Sequence, residues 1–157
     1  MSIRLRFISE YTLGSSIVQW WTGSEFSHVE VCLPNGYLSA RPFEQVLHHQ
    51  TIPAGVQIRP FDYNKPKKEA FATIDTHDYV DRLVLKVLNE QLGKPYDFAA
   101  IAAFPLDRDW RQPDHWICSE LCAYAFEQAG RPLLNPAVQV SRLSPRDLAL
   151  SPYVKFD

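Results

Sequence analysis

The sequence predicts an α+β fold on two observations: strand-like segments crowd the first half of the chain, and helix-like segments with glycine and proline stops occupy the second. The regular strand–helix alternation of a parallel doubly wound sheet is missing. Ile3, Leu5 and Phe7 alternate with Arg4 and Arg6, the period-two pattern of a half-buried strand. Gly14, Ser15 and Ser16 precede Ile17, Val18, Trp20 and Trp21, so a serine caps a two-turn helix ending near Gly23. Residues 27–33 form a strand with Val29, Val31 and Leu33 on one face and His28, Glu30 and Cys32 on the other. Pro34-Asn35-Gly36 then turns the chain, with Asn-Gly as the two-residue loop and residues 37–40 returning. Counting outward pairs Leu33 with Leu38, Cys32 with Ser39, Glu30 with Arg41 and His28 with Phe43, and Pro42 marks a bulge or strand end.

Residues 45–53 have no period and read as a loop, while 56–59 and 70–74 are strand-like. Thr76 is placed to cap a helix whose apolar positions Val80, Leu83, Val84, Val87, Leu88 and Leu92 keep the 3–4 spacing until Gly93 and Pro95. Further helical stretches cover 98–104 and 117–129, the latter closed by Gly130 and Pro132. Ser144 with Pro145 behind it opens a short last helix through Leu150.

At 157 residues, with neither repeats nor a linker, the chain reads as one domain, 1–157. A 46% hydrophobic and 22% charged composition supports a packed core, and a formal charge of -2 offers no field for a nucleic acid backbone. Cys32, Cys118 and Cys122 are too few for a disulfide framework and indicate a reducing compartment. Residues 1–7 alternate charge and hydrophobe unlike an export signal, so a cytoplasmic location is expected. The longest apolar stretch, 98–104, is far below the roughly 20 residues a transmembrane segment needs. Phosphate-loop, dinucleotide and G-x-S-x-G patterns are absent, and no cofactor is expected.

The chemistry centres on Cys118 at the opening of a helix, where peptide dipoles and free N–H groups favour the thiolate. Periodicity by itself favours a packing role, since Cys118, Leu121, Cys122, Ala125 and Ala129 share a face. Cys122, a turn deeper, reads as packing. Asp114 is a candidate cap that would oppose ionisation of the thiol. A thiol nucleophile needs a base, and His28 alone among five histidines lies inside a strand; His48, His49, His77 and His115 read as surface groups. Without a partner, a satisfied core histidine is the somewhat favoured reading of His28. Cys118 and Cys122 with His28 or His115 make a weak metal pattern, lacking a C-x-x-C knuckle.

Three segments in order, Ser27-His28-Val29-Glu30, Leu92-Gly93-Lys94-Pro95-Tyr96-Asp97-Phe98 and Trp116-Ile117-Cys118-Ser119-Glu120-Leu121, resemble the circularly permuted branch of the papain-like NlpC superfamily. This branch holds the YiiX-like proteins and, more distantly, the lecithin retinol acyltransferase relatives. The resemblance extends to residues 4–21 and 143–148, and it implies a permuted papain-like fold with an antiparallel sheet or partial barrel against helices. It further implies a cysteine hydrolase of the amidase or peptidase type, with Cys118 as nucleophile and His28 as general base. Relatives act on peptide, isopeptide, peptidoglycan-like or lipid-ester bonds. The family's third polar group usually lies on the strand after the histidine, where residues 38–44 supply neither histidine nor a clear acid. Ser39 aligns nearest, Glu44 fits only with a bulge, and Glu30 is preferred, although the counted register sets Arg41 opposite it as an ion pair. That departure leaves an alternative: an inactive scaffold that binds through Trp20, Trp21, Trp110 and Trp116. Small phage-encoded members have a similar histidine strand and turn, which suggests a phage or prophage origin.

Overall fold

The computed structural model describes residues 2–99, 114–135, 137 and 143–157. Strands β1 (Ser2–Ser9), β2 (His28–Leu33), β3 (Gly36–Arg41), β6 (Gly55–Arg59), β7 (Lys68–Asp75) and β8 (Val154–Phe156) form one antiparallel sheet in the order β6-β3-β2-β1-β7-β8. Helices α1 (Leu13–Thr22), α2 (Asp78–Glu90), α3 (Cys118–Gln128) and α4 (Pro145–Ala149) complete the described elements. The architecture is therefore α+β, with the expected strand-rich first half. The core joins Leu5, Phe7, Val31 and Leu38 of the sheet to Val84 and Leu88 of α2 and Leu121 and Phe126 of α3. These are the positions that period two and period 3.6 select, and burying each side chain is worth about 1.5–3 kcal/mol.

Several local expectations need correction. The register is Leu33↔Gly36, Cys32↔Tyr37 and Val31↔Leu38, two residues away from the counted one. Pro34 and Asn35 form the loop, because the proline ring holds φ negative and suits the first central position of an ordinary turn. Gly36 is spent differently: a Cβ there would lie 2.2 Å from Arg59 O on the neighbouring strand. The shift is even, so the faces survive, yet continuing the ladder sets Ser39 opposite Glu30, not Arg41. Phe43 is exposed beyond the end of β3 and does not pair with His28. Residues 45–53 hold a small hairpin, β4 (Gln45–Leu47) with β5 (Gln50–Ile52), turned by His48 and His49 at positive φ. The N-cap of α1 is Thr12, whose side chain accepts from Ser15 N–H, and that of α2 is His77, with Thr76 bonded to Asp81 instead. Strand β8 was not anticipated from the sequence. Most of the expected helix over 98–104 lies outside the described residues.

Ser144 caps α4 with Pro145 behind it, as expected, and Asp147 completes a capping box. A further device aims residues 93–97 at α3. Val56 N donates to Lys94 O and Gly93 N to Val56 O, both at 2.9 Å, while Tyr96 bridges to Trp116. Gly55 permits this approach, with φ at 87° and an added Cβ only 2.3 Å from Lys94 O. Gly55→Ala is expected to cost about 2 kcal/mol or more and lower Tm by roughly 4–8 °C in a thermal melt.

Candidate active site

The β1–β2 register, Arg6↔Glu30 and Ile8↔His28, sets Arg6, Glu30 and His28 on one sheet face, and Ser39 and Arg41 join them from β3. All five are buried. Residues 60–67 cover this face, bringing Tyr63 and Asn64 against it. Arg6 thus departs from the half-buried alternation expected of its strand, because the strand is covered on both sides here.

Cys118 is the first residue of α3, as expected, with Ile117 as N-cap. Asp114 is not the cap: it stands exposed at positive φ and accepts from Lys94 Nζ at 2.7 Å. The Cys118 thiol and the His28 ring are hydrogen-bonded, and the backbone N–H groups of Val29 and Ser119 also reach the sulfur. Burial pushes the thiol up, but the His28 charge, its hydrogen bond and those two N–H groups overcome this and hold it below its ordinary value. Burial is the largest influence on His28 and opposes its charge, but the facing sulfur charge together with the hydrogen bonds to Cys118 and Glu30 overcomes it, so the ring is held above its ordinary value despite Arg41. Each charge thus favours the other across this contact.

On the far side of the ring, His28 Nε2 lies 3.1 Å from Ser39 Oγ and 3.3 Å from Glu30 Oε1. Ser39 Oγ donates to Glu30 Oε1 at 3.3 Å, so its oxygen is left to accept from Nε2–H. With Nε2 donating, Nδ1 is the nitrogen available to the sulfur. Glu30 is the group that touches His28, with Ser39 beside it; Glu44 is exposed beyond β3 and takes no part. Glu30 is itself held by Arg6 Nη1 at 3.1 Å, by the Tyr63 hydroxyl, and by Arg41 Nη1 at 3.7 Å. Burial alone would raise its carboxyl, but His28, Tyr63 and Arg41 bring it down to about 2. Behind them Glu10 accepts from Arg41 Nη2 at 2.5 and 2.6 Å and from Asn64 Nδ2 at 3.0 Å. Sequence reasoning missed Tyr63, Asn64 and Glu10, which lie outside periodic segments and carry no local signal.

Cys118 lines an apolar pocket of about 90 Å³, walled by Ile17, Val18 and Trp21 of α1 and by Tyr96, Ile117 and Pro145. The other two thiols are suppressed by burial, Cys32 to about 11 and Cys122, with Cys118 adding to the effect, to about 12. Cys122 is packed in the core. Trp116 is not presented for contact: it is buried, its Nε1 donating to Gln91 Oε1 at 3.2 Å. Trp20 and Trp21 are exposed, and Trp110 lies outside the described residues. His48 pairs with Asp62 at 2.9 Å on the surface, far in sequence from the thiol.

The fold is a YiiX-like α+β fold, and it carries a buried thiol–imidazole contact. The likeness is to a solved structure, the metalloprotein YiiX from Escherichia coli O157:H7, at a TM-score of 0.66 and 14% identity, covering 100% of this chain and 96% of that one. No known family profile matches the chain, and no curated protein matches it by sequence. The residues here do not fit a metal ion. Among the described residues no three His, Cys, Asp or Glu side chains converge as a ligand set. Glu30 already accepts from Arg6, Tyr63 and Ser39, two guanidinium charges face it, and Cys122 favours the thiol form. No described helix is long and apolar enough to cross a membrane.

Proposed function

We propose that this chain is a cysteine-dependent hydrolase of the permuted papain-like NlpC type, cleaving an amide or ester through a thiol acyl-enzyme. The observation that carries this reading is the contact between the Cys118 thiol, at a helix N-terminus, and an imidazole whose other nitrogen meets a buried carboxylate. The Cys118 sulfur attacks the carbonyl carbon, and an S–C bond forms as the electron pair of the C=O moves to oxygen. N–H groups in the first turn of α3 stabilise that oxyanion. His28 gives its proton to the leaving amine or alkoxide, the C–N or C–O bond breaks, and the ring then takes a proton from the water that hydrolyses the thioester. Glu30 orients the ring through Nε2–H and favours its charged form, with Ser39 as an additional acceptor.

The test is mass spectrometry of the protein mixed with an activated acyl ester, with trypsin mapping of the adduct. A transient acyl mass on the Cys118 peptide, absent in Cys118→Ala and formed far more slowly in His28→Ala, is the expected result. Turnover that survives Cys118→Ala, or no acyl adduct on Cys118 with any ester or amide, overturns the reading in favour of a non-catalytic scaffold.

A further inference from the structure

Tyr63 comes from the aperiodic segment 60–67, yet its hydroxyl stands in the middle of the buried polar face. The ring is buried and set edge-on to Tyr37, with 6.3 Å between centroids, and the Tyr63 N–H donates to Pro60 O at 3.1 Å. Its hydroxyl makes two bonds, one with Arg41 Nη1 and one with Glu30 Oε1. Chemistry fixes their direction. A guanidinium only donates and an ionised carboxylate only accepts, so the phenol oxygen accepts from Arg41 and its proton goes to Glu30. Oε1 is also the atom that meets His28 Nε2, at 3.3 Å, while Arg6 Nη1 holds Oε2 at 3.1 Å. A continuous row of polar contacts therefore runs from Glu10 through Arg41, Tyr63, Glu30 and His28 to Cys118.

We propose that Tyr63 is a positioning residue of the Cys118–His28 site: its hydroxyl stands between Arg41 and Glu30 as a neutral donor, keeps the guanidinium from pairing directly with the carboxylate, and so leaves that negative charge to His28. The role rests on Cys118 and His28 being the reacting pair. Tyr63 does not line the Cys118 pocket, so it acts through Glu30 and not on a substrate. The spacing supports this. Arg41 Nη1 is 3.7 Å from Glu30 Oε1, where a direct charge-assisted bond would be about 2.8 Å. Glu10 engages the other terminal nitrogen, Arg41 Nη2, at 2.5 and 2.6 Å, so the guanidinium is balanced by one carboxylate while the phenol separates it from the next. A guanidinium in direct contact with Glu30 would oppose the imidazolium twice, by its own charge and by drawing on the carboxylate. Even at its present distance Arg41 acts against a charged His28.

Among the described residues, the charged and titratable groups facing the ring are Cys118 of α3, Glu30 of β2, Arg41 of β3 and, behind it, Glu10. Glu30 faces in addition Arg6 of β1, whose Nε donates to Glu69 of β7 at 2.9 Å, and Tyr63. Tyr63 differs from these carboxylates and guanidiniums in that its polar atom can be removed without changing the formal charge. Burial and the adjoining Glu30 charge push the phenol far up, so it remains a donor across the range in which the thiol and the ring titrate.

The experiment is nitrogen NMR titration of the His28 ring in the full histidine-labelled chain, its signal identified by its loss in His28→Ala, beside the pH profile of Cys118 alkylation. Native chain, Tyr63→Phe and Tyr63→3-fluorotyrosine are compared. In Tyr63→Phe, Arg41 loses its acceptor and closes on Glu30, so the ring titrates about one pH unit lower, and the alkaline step of the alkylation profile moves down with it. Tyr63→3-fluorotyrosine keeps the ring and its packing. Its more acidic hydroxyl donates more strongly to Glu30 and accepts more weakly from Arg41, so a smaller shift of the same sign is expected, and this variant decides the matter if Tyr63→Phe does not fold. A ring titration that stays in place or moves up in the folded variant overturns the proposal, since the hydroxyl then only packs or competes with His28 for Oε1. The ring shift without any acyl mass on Cys118 upholds the part played by Tyr63 and removes the hydrolase reading; the acyl mass without the ring shift does the reverse.

Discussion

Iodoacetamide is expected to modify Cys118 at pH 7 at least tenfold faster than a free thiol, and His28→Ala to cut that rate by about 10²- to 10³-fold. The reason is the balance at the sulfur. Burial disfavours the thiolate, and the facing ring with its hydrogen bond reverses that preference; removing the ring leaves burial with only the Val29 and Ser119 N–H groups against it. The pH profile carries the sign. As pH falls through the lowered thiol value the sulfur is protonated and reactivity is lost, so the acid limb lies below the ordinary thiol range of about 8.5. As pH rises through the raised His28 value the ring loses its charge, leaving a lone thiolate of higher nucleophilicity and a second upward step. Stopped-flow alkylation from pH 4 to 10 reads both. A single inflection in the ordinary thiol range, insensitive to His28→Ala, would mean that the contact does not activate the sulfur. Cys32 and Cys122, both pushed upward, serve as internal controls that label slowly.

Glu30→Ala is expected to cost about 3–5 kcal/mol and lower Tm by roughly 6–20 °C. Its carboxylate is the shared counter-charge of two buried guanidiniums, and the alanine variant leaves Arg6 with Glu69, Arg41 with Glu10, and both facing a space without an acceptor. Glu30→Gln keeps the shape and an acceptor for Tyr63, so it should recover part of the loss. Because the folded carboxyl lies at about 2 against 4.5 when unperturbed, its contribution to stability is fully present above about 4.5 and disappears as pH falls toward 2. Urea melts across that window should show the native chain losing stability more steeply than either variant. Equal slopes would mean that Glu30 is not the group whose protonation loosens this face.

Much of this molecule is legible in short stretches of sequence. The strand positions around Ile3 and Val29, the common face of His28 and Glu30, the place of Cys118 at the head of a helix and the capping box at Ser144 follow from preferences acting within about four residues: alternation, helical period, and the satisfaction of terminal N–H groups. What those rules leave open was decided by groups far apart along the chain. Glu30 has Ser39 as its neighbour because Pro34 holds φ negative at the turn and Gly36 admits Arg59 closely, and a two-residue shift of register changes which side chains meet. Arg6 and Arg41 are buried because Tyr63 and Asn64, carried on an aperiodic segment, close over them and because Glu10 and Glu30 balance their charge. The orientation of α1 went against its own amphipathic pattern. Hydrogen bonds to Ser15 and Gln19 come from residues outside the helix, and no periodicity within ten residues records which side a distant surface will hold.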